Sequence, residues 1–490
     1  MKFLKLSLAA SVALGALSTA SFAQPLEDAI KGIDVSGYLR YRYNDDRYEN
    51  NGFNKNSVNG SNATHRWKAV ADFKAPVADN VAFNFGILYN NESQNVNHGN
   101  GTNIPNPNYT PWIQPGGAGY QPATLPVGGL GSGLGSGKDG SFGVSTFNAV
   151  ITPDSTATTV IIGKQRLATP VTNAGDDDRG TGILVLNSDL ENATFAAGAF
   201  DSWSIDDVAL LRGYTSGSND GGSVDKPLYA LAGIYNFDTD YGTFGAQLWG
   251  FYIQDAVDAL GVLDLSWNNA TFNAGIKYAI AKLNNDNDSV LATLHGVASA
   301  RHADISEAND LFIFNVGANF AQEYDFPLDI KLGYVTNFQD GTAVTLNDDG
   351  NFFTNTVAGA IWWQNDATGI SSSALLDRGV HGFGTEQEIS VFYGAVGYTM
   401  VDSRLRVGLD FVWGENEIDW GIRGVKNDTI DFMEITPKVS WKHNKQLTIS
   451  GYYAYLTTDK PDSLRNVAGQ PALYDDETRT RARVEVKYSF

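Results

Sequence analysis

The feature that most restricts this chain is a two-residue alternation of apolar and polar side chains that recurs from one end to the other. The last ten residues show it plainly: R-A-R-V-E-V-K-Y-S-F. Ala482, Val484, Val486, Tyr488 and Phe490 share one face, and Arg481, Arg483, Glu485, Lys487 and Ser489 share the other. In R-L-R-V-G-L-D-F-V-W, Leu405, Val407, Leu409, Phe411 and Trp413 alternate with Arg404, Arg406, Gly408 and Asp410, and Val412 is the exception. This period belongs to half-buried strands, so helices are not the building unit.

Residues 1–23 read as a secretory signal peptide. Lys2 and Lys5 precede a short apolar run from Leu6 to Leu17, and Ser21-Phe22-Ala23 offers a cleavage site after Ala23. No other stretch reaches about 18 consecutive apolar residues, so any membrane crossing must be made by strands. There is no cysteine to staple an exported fold, and a closed hydrogen-bonded barrel supplies stability without one. A mean hydropathy of −0.22 is what interleaved lipid-facing and water-facing residues give. A terminal amphipathic strand ending in Phe490 also resembles the signal read by outer-membrane barrel assembly machinery; the alternative for that strand alone is the edge of a soluble sandwich.

The alternation predicts an all-β transmembrane antiparallel β-barrel of about 18 strands, with long extracellular loops and short periplasmic turns, in one domain over 24–490. Strands are expected at 34–44, 65–74, 81–89, 142–151, 158–166, 182–187, 194–203, 227–236, 243–253, 270–280, 288–298, 310–320, 327–337, 388–398, 404–413, 431–441, 446–456 and 480–490. The connections between them alternate short and long, which puts both termini at the short-turn side. The assignments at 182–187 and 270–280 are the weakest, and Leu260–Trp267 is a candidate separate strand. A barrel of this size leaves an aqueous channel unless something plugs it.

By this phase Arg40, Arg42, Arg66, Lys68, Lys164 and Arg166 project inward. Basic residues on one wall opposite acids on a loop would set a transverse field across a constriction; the plainer reading is that they solvate the lumen and pair with carboxylates. The third long loop, 167–181, reads L-A-T-P-V-T-N-A-G-D-D-D-R-G-T and is expected to fold into the lumen. Asp176, Asp177 and Asp178, with Asp139 in reach, are candidate Ca²⁺ ligands, because adjacent carboxylates in a confined space repel unless a cation neutralises them. The alternative is a solvated acidic turn. No other cofactor is required. Without Lys2 and Lys5 the chain carries 32 basic against 55 acidic residues, a net charge of −23. Nucleic acid is therefore excluded as a partner, and attraction of cations to a pore mouth competes with simple loop solubility as the reading.

The run P-L-E-D-A-I-K-G-I-D-V-S-G-Y-L-R-Y-R-Y at 25–43, V-I-I-G-K-Q-R-L at 160–167 before an Asp-rich loop, and the closing strand resemble the Campylobacter major outer membrane porin family. The likeness covers 25–90 and 142–200 and continues by spacing to the C-terminus. It implies an eighteen-stranded homotrimeric barrel in the outer membrane, against lipid and lipopolysaccharide. It also implies a cation-preferring diffusion channel for small hydrophilic solutes, with calcium near the constriction at the third loop and Asp139.

Three rivals stand beside it. A channel specific for a sugar or dicarboxylate is one, although Tyr38 and Tyr452 are isolated inward aromatics rather than a track. An adhesin is another, with the loops at 91–141 and 338–387 as recognition surfaces on a barrel anchor. An enzyme is the third, and no G-x-S-x-G, H-E-x-x-H or cysteine nucleophile supports it.

Overall fold

The computed structural model describes residues 32–49, 62–90, 142–205, 226–284, 286, 306–346, 350–373, 386–418, 428–460 and 476–490, with 177, 355, 364–367 and 371 left out. The signal-peptide reading, Asp139 and the expected strand at 288–298 lie outside these residues.

Alternation of this kind buries one face of each strand and leaves the other apolar face to lipid. Eighteen strands result: β1 (Asp34–Glu49), β2 (Asn62–Ala78), β3 (Val81–Asn90), β4 (Phe142–Ile151), β5 (Thr158–Arg166), β6 (Arg179–Asn187), β7 (Ala193–Ser204), β8 (Leu228–Thr239), β9 (Gly242–Ile253), β10 (Val257–Asn268), β11 (Phe272–Leu283), β12 (Ala308–Asn319), β13 (Leu328–Thr336), β14 (Gln387–Met400), β15 (Leu405–Ile418), β16 (Asp428–Lys442), β17 (Leu447–Asp459) and β18 (Glu477–Ser489). Each pairs antiparallel with its neighbours in sequence, and β1 pairs with β18. Closure leaves no edge, so the backbone groups are satisfied inside a hydrocarbon layer. At the seam the Gly37 amide donates to the Phe490 carbonyl and the Phe490 amide to the Gly37 carbonyl, both at 3.0 Å. The outer surface carries Leu39, Trp67, Phe147, Ile183, Leu231, Leu248, Leu332, Phe392, Trp413 and Tyr453, all exposed in the isolated chain.

Two features of the expected layout change. Residues 254–269, expected as a loop, contain β10, which pairs with both β9 and β11. And β11 pairs directly with β12, from Lys282 opposite Ala308 to Phe272 opposite Ala318, so the eighteen described strands close with β10 among them. The strand over 270–280 therefore runs opposite to its expected direction. The physical reason lies in the lumen face of β10. Leu260 and Val262 point inward and are buried, where a water-lined wall would carry polar residues, so the alternation that marks a strand is erased there.

This placement makes a sharp expectation. Leu265, exposed on the outer face of β10, should be costly to replace with arginine, by about 2–4 kcal/mol if it sits near the bilayer midplane. Urea titration of the heat-modifiable barrel band in lipid measures it, with Ser266→Arg, on the lumen face, as the tolerated comparison. Equal stability of both variants would remove β10 from the membrane wall.

Candidate functional site: the barrel lumen

The lumen is divided. One side is filled by the connection between β13 and β14, which begins at Asn337 and turns inward rather than away from the barrel. Its root is tied down: Asp310 Oδ1 accepts the amides of Phe338 and Gln339, each at 2.8 Å, and Asp310 Oδ2 accepts the Tyr278 hydroxyl at 3.0 Å. Asn337 Oδ1 accepts the Ile389 amide at 2.8 Å. Beyond the root, Val344, Leu346, Phe352, Phe353, Ile361, Trp362 and Ile370 are all buried. Phe352 and Phe353 stand on the single helical turn α1 (Asn351–Thr354). These side chains form one apolar cluster with inward residues of the wall, among them Trp249, Phe251, Val262, Ile313, Val391 and Leu456. Trp362 stacks on Phe432 at 5.9 Å and meets Phe353 at 5.3 Å.

The expectation that every lumen face is polar fails on this arc, and the described part of 338–387, which the rival adhesin reading offered as a recognition surface, has its apolar side chains buried in the lumen. V-T-L, F-F and A-G-A-I-W-W are too apolar to be left in water. That composition was the available signal; what hid it was the reading of a long Asn- and Gly-containing connection as solvated.

Polar groups fix the plug in orientation. Glu434, on the inner face of β16 and wholly buried, accepts three consecutive amides: Ala360 at 2.5 Å to Oε1, then Ile361 at 3.0 Å and Trp362 at 2.8 Å to Oε2. The Thr436 hydroxyl adds a fourth bond at 2.5 Å. Successive amides turned toward one point form a nest for an anion, and here the wall supplies the anion. The turn that presents them needs Gly359 at φ +92°, where a Cβ would lie 2.6 Å from the Trp362 ring. The Gly359 amide reaches Asp410 at 2.8 Å, and Asp410 also pairs with Lys438. Lys331 Nζ holds the Thr356 carbonyl at 3.1 Å, and Asn416 holds that of Thr368 at 2.9 Å.

The third loop joins the same body. Leu167 and Val171 are buried in the apolar cluster. The Leu346 amide donates to the Val171 carbonyl at 2.9 Å and the Phe352 amide to the Pro170 carbonyl at 2.7 Å. Asn351 Nδ2 bridges the carbonyls of Thr169 and Thr172 at 3.1 and 3.0 Å. Asp178 is fully buried, and its Oδ2 accepts the Asn173 amide at 2.6 Å, which closes the loop on itself. Asp176 ends a 3-10 turn over Ala174–Asp176; its side chain and residue Asp177 are outside the described residues. Among the described residues no three His, Cys, Asp or Glu side chains converge as a metal cage.

Opposite the plug, the inner faces of β2, β1 and β18 are basic. Arg66 and Lys68 lie on β2, Arg40 and Arg42 on β1, and Arg479, Arg481, Arg483 and Lys487 on β18, on the faces opposite Trp67, Leu39 and Val484. Arg42 pairs with Glu485 at 2.8 Å and Arg481 with Asp46. Arg483 Nε donates to Asn44 at 2.8 Å and its guanidinium lies 5.2 Å from the Tyr452 ring centre; Lys487 Nζ lies 4.5 Å from that of Tyr38. Arg166 reaches across to Asp72 on β2 at 3.0 Å. Lys164 sits apart from this group, fully buried near Arg179 at the foot of the third loop. Sequence reasoning had named the cations of β1 and β2 and passed over those of β18, although Arg481, Arg483 and Lys487 stand in the strand that first revealed the alternation.

The family profile of the Campylobacter major outer membrane protein matches residues 1–488. No curated protein matches the chain. Among solved structures it is similar to OpdQ of Pseudomonas aeruginosa, at 11% identity and TM-score 0.54 over 94% of this chain and 98% of that one. It is also similar to OccAB1 of Acinetobacter baumannii, at 14% and 0.55 over 93% and 97%, and to OccAB3 of the same organism, at 11% and 0.55 over 93% and 100%. At these identities the structural likeness speaks for the fold.

Proposed function

The chain belongs to the Campylobacter major outer membrane protein family and is a multi-pass outer-membrane porin rather than an enzyme, and from that premise we propose that it passes small hydrophilic solutes by diffusion, with a preference for cations. The observation that carries the reading is the divided lumen. An apolar plug fills the side toward β7–β17, and the charged face of β2, β1 and β18 bounds what remains. A solute must move along a polar wall past a body formed by two loops, which disfavours large and apolar molecules.

The cation preference rests on the mouths rather than on that wall. The mature chain carries a net charge of −23. Its described connections on the side of the two termini hold Asp79, Asp154, Asp189, Glu191, Asp240, Glu323, Asp325 and Asp402 against Arg404 and Lys445. Eight acids against two bases concentrate cations at the periplasmic side. Removal of residues 1–23, delivery to the assembly machinery through the strand ending at Phe490, and a homotrimeric state belong to the same proposal. So does Ca²⁺ at the third loop. Asp178 contributes one buried carboxylate there, already engaged by Asn173, and Asp139, Asp176 and Asp177 are the further candidates.

Single-channel currents in a planar bilayer under a KCl gradient test this. Steady conductance with a reversal potential toward that of K⁺ is the expected result, and chelation of calcium should alter it if the third loop holds the ion. Silence from a heat-modifiable, folded barrel would overturn the channel, and indifference to chelation would remove the calcium.

A further inference from the structure

The lipid-facing side of β6, β7, β8 and β9 carries a groove of about 600 Å³. Strand register lays out its surface in two rows. Asn187, Phe195, Gly233 and Leu248 stand side by side in one, and Val185, Ala197, Leu231 and Gly250 in the next. Large and small positions alternate within and between the rows, so the large side chains stand beside hollows. Leu231 and Leu248 are 67% and 63% exposed, with those hollows at their flanks.

The two glycines are the telling positions. Inside a strand a glycine gives up side-chain packing and loses more backbone entropy than any other residue, and it often marks a place where something else approaches the backbone closely. Elsewhere in this barrel the chain itself makes that approach. A Cβ on Gly182 would lie 2.0 Å from the Ala199 carbonyl oxygen, and one on Gly333 would lie 2.1 Å from the Tyr393 ring. At Gly250 a Cβ would meet nothing within 4 Å among the described residues, and at Gly233 only the Phe195 ring at 3.8 Å. No contact within the described chain requires these two positions to be bare.

The surroundings of the groove are apolar on both sides of the wall. On the lumen face of the same strands, Ala232 and Trp249 are buried in the cluster that includes the plug, so water does not reach the groove from behind. In front, the groove is continuous with the exposed apolar surface that meets lipid. One end lies beside the 188–192 connection, on the side of the termini. There Asn187 Nδ2 donates to Thr158 Oγ1 at 2.8 Å and to Asp189 Oδ2 at 2.7 Å. The other end reaches beyond the middle of β9, at Gly250.

We propose that this groove holds one acyl chain of a glycerophospholipid from the leaflet on the side of the termini, retained as a bound lipid. Methylenes seated in the hollows at Ala197, Gly233 and Gly250 gain dispersion contacts with the flanks of Leu231 and Leu248 that a flat wall does not offer. The polar end of the lipid stays level with Asn187 and the 188–192 connection. The inference depends on the outer-membrane placement and not on the diffusion reading, so either can fail without the other.

The test titrates the detergent-purified, heat-modifiable barrel with dioleoyl phosphatidylethanolamine and counts retained lipids by native mass spectrometry, with lipid A as the rival source of an acyl chain. The wild-type chain should keep one phospholipid through a delipidating wash. Gly250→Leu, which fills a hollow, should lower that occupancy about tenfold, equivalent to roughly two buried methylenes. Gly233→Ala should lower it less, and it serves if the leucine variant does not fold. Val396→Leu, which enlarges a side chain on the lipid face of β14, should keep the wild-type occupancy. Absence of retained lipid in the wild type, undiminished occupancy in both glycine variants, equal loss in Val396→Leu, or retention of lipid A in preference to the phospholipid overturns the site.

Discussion

Replacing Glu434 with alanine should release the plug from the wall and raise both the conductance and the size of solute admitted. The carboxylate accepts three backbone amides and a hydroxyl in a buried site. Without it the amides of Ala360, Ile361 and Trp362 are left in the lumen with no acceptor, and each buried unsatisfied donor costs about 1–3 kcal/mol. A total loss of about 3 kcal/mol would shift the balance between fastened and released plug by roughly a hundredfold. The barrel itself should survive, since its wall hydrogen bonds do not pass through Glu434's side chain. Current recordings should therefore show frequent larger openings, and heat-modifiable mobility should be retained. Glu434→Gln keeps one oxygen acceptor but turns an amide NH₂ toward the nest, so an intermediate effect is expected. Wild-type conductance and noise in both variants would show that the three-amide nest does not hold the plug.

The second large effect is expected at Trp362. Its ring is fully buried between Phe432 of the wall and Phe353 of the plug, and its Nε1 donates to the Ala358 carbonyl at 2.8 Å. Truncation to alanine removes the central apolar contact of the plug and leaves a cavity, at a cost of about 3–5 kcal/mol. The plug should then lose its order at lower urea than the barrel. Near-ultraviolet circular dichroism would report an early transition, and limited proteolysis would cut within 337–386 while the barrel fragment stays folded. A single cooperative transition at the wild-type midpoint would mean that plug and wall are not joined through this ring. Together the two variants separate the contributions to fastening, because Glu434 gives direction and Trp362 gives most of the buried area.

Much of the barrel was legible because lipid imposes its requirement locally. Every strand must show an apolar side chain at each second position, whatever its neighbours are, so the outward residues of β1, β15 and β18 can be read one strand at a time. The inward face carries no such local rule. On β1, β2 and β18 it meets water, and the charges are plain in the sequence. On β8 to β12 it meets the plug, and Ala230, Trp249, Val262, Ala281 and Ile313 are buried apolar residues. The alternation fades there for a reason that lies in another segment of the chain.

By itself, then, the sequence determined the closed antiparallel barrel and its size, because lipid acts on each side chain alone and the two-residue period records it. Only the tertiary structure decided what occupies the lumen. The partnership of Glu434 with residues 360–362, of Trp362 with Phe432, and of Leu346 with Val171 depends on which loop bends inward. That choice is made by complementary surfaces meeting across the barrel, and no periodicity along the chain encodes such a meeting.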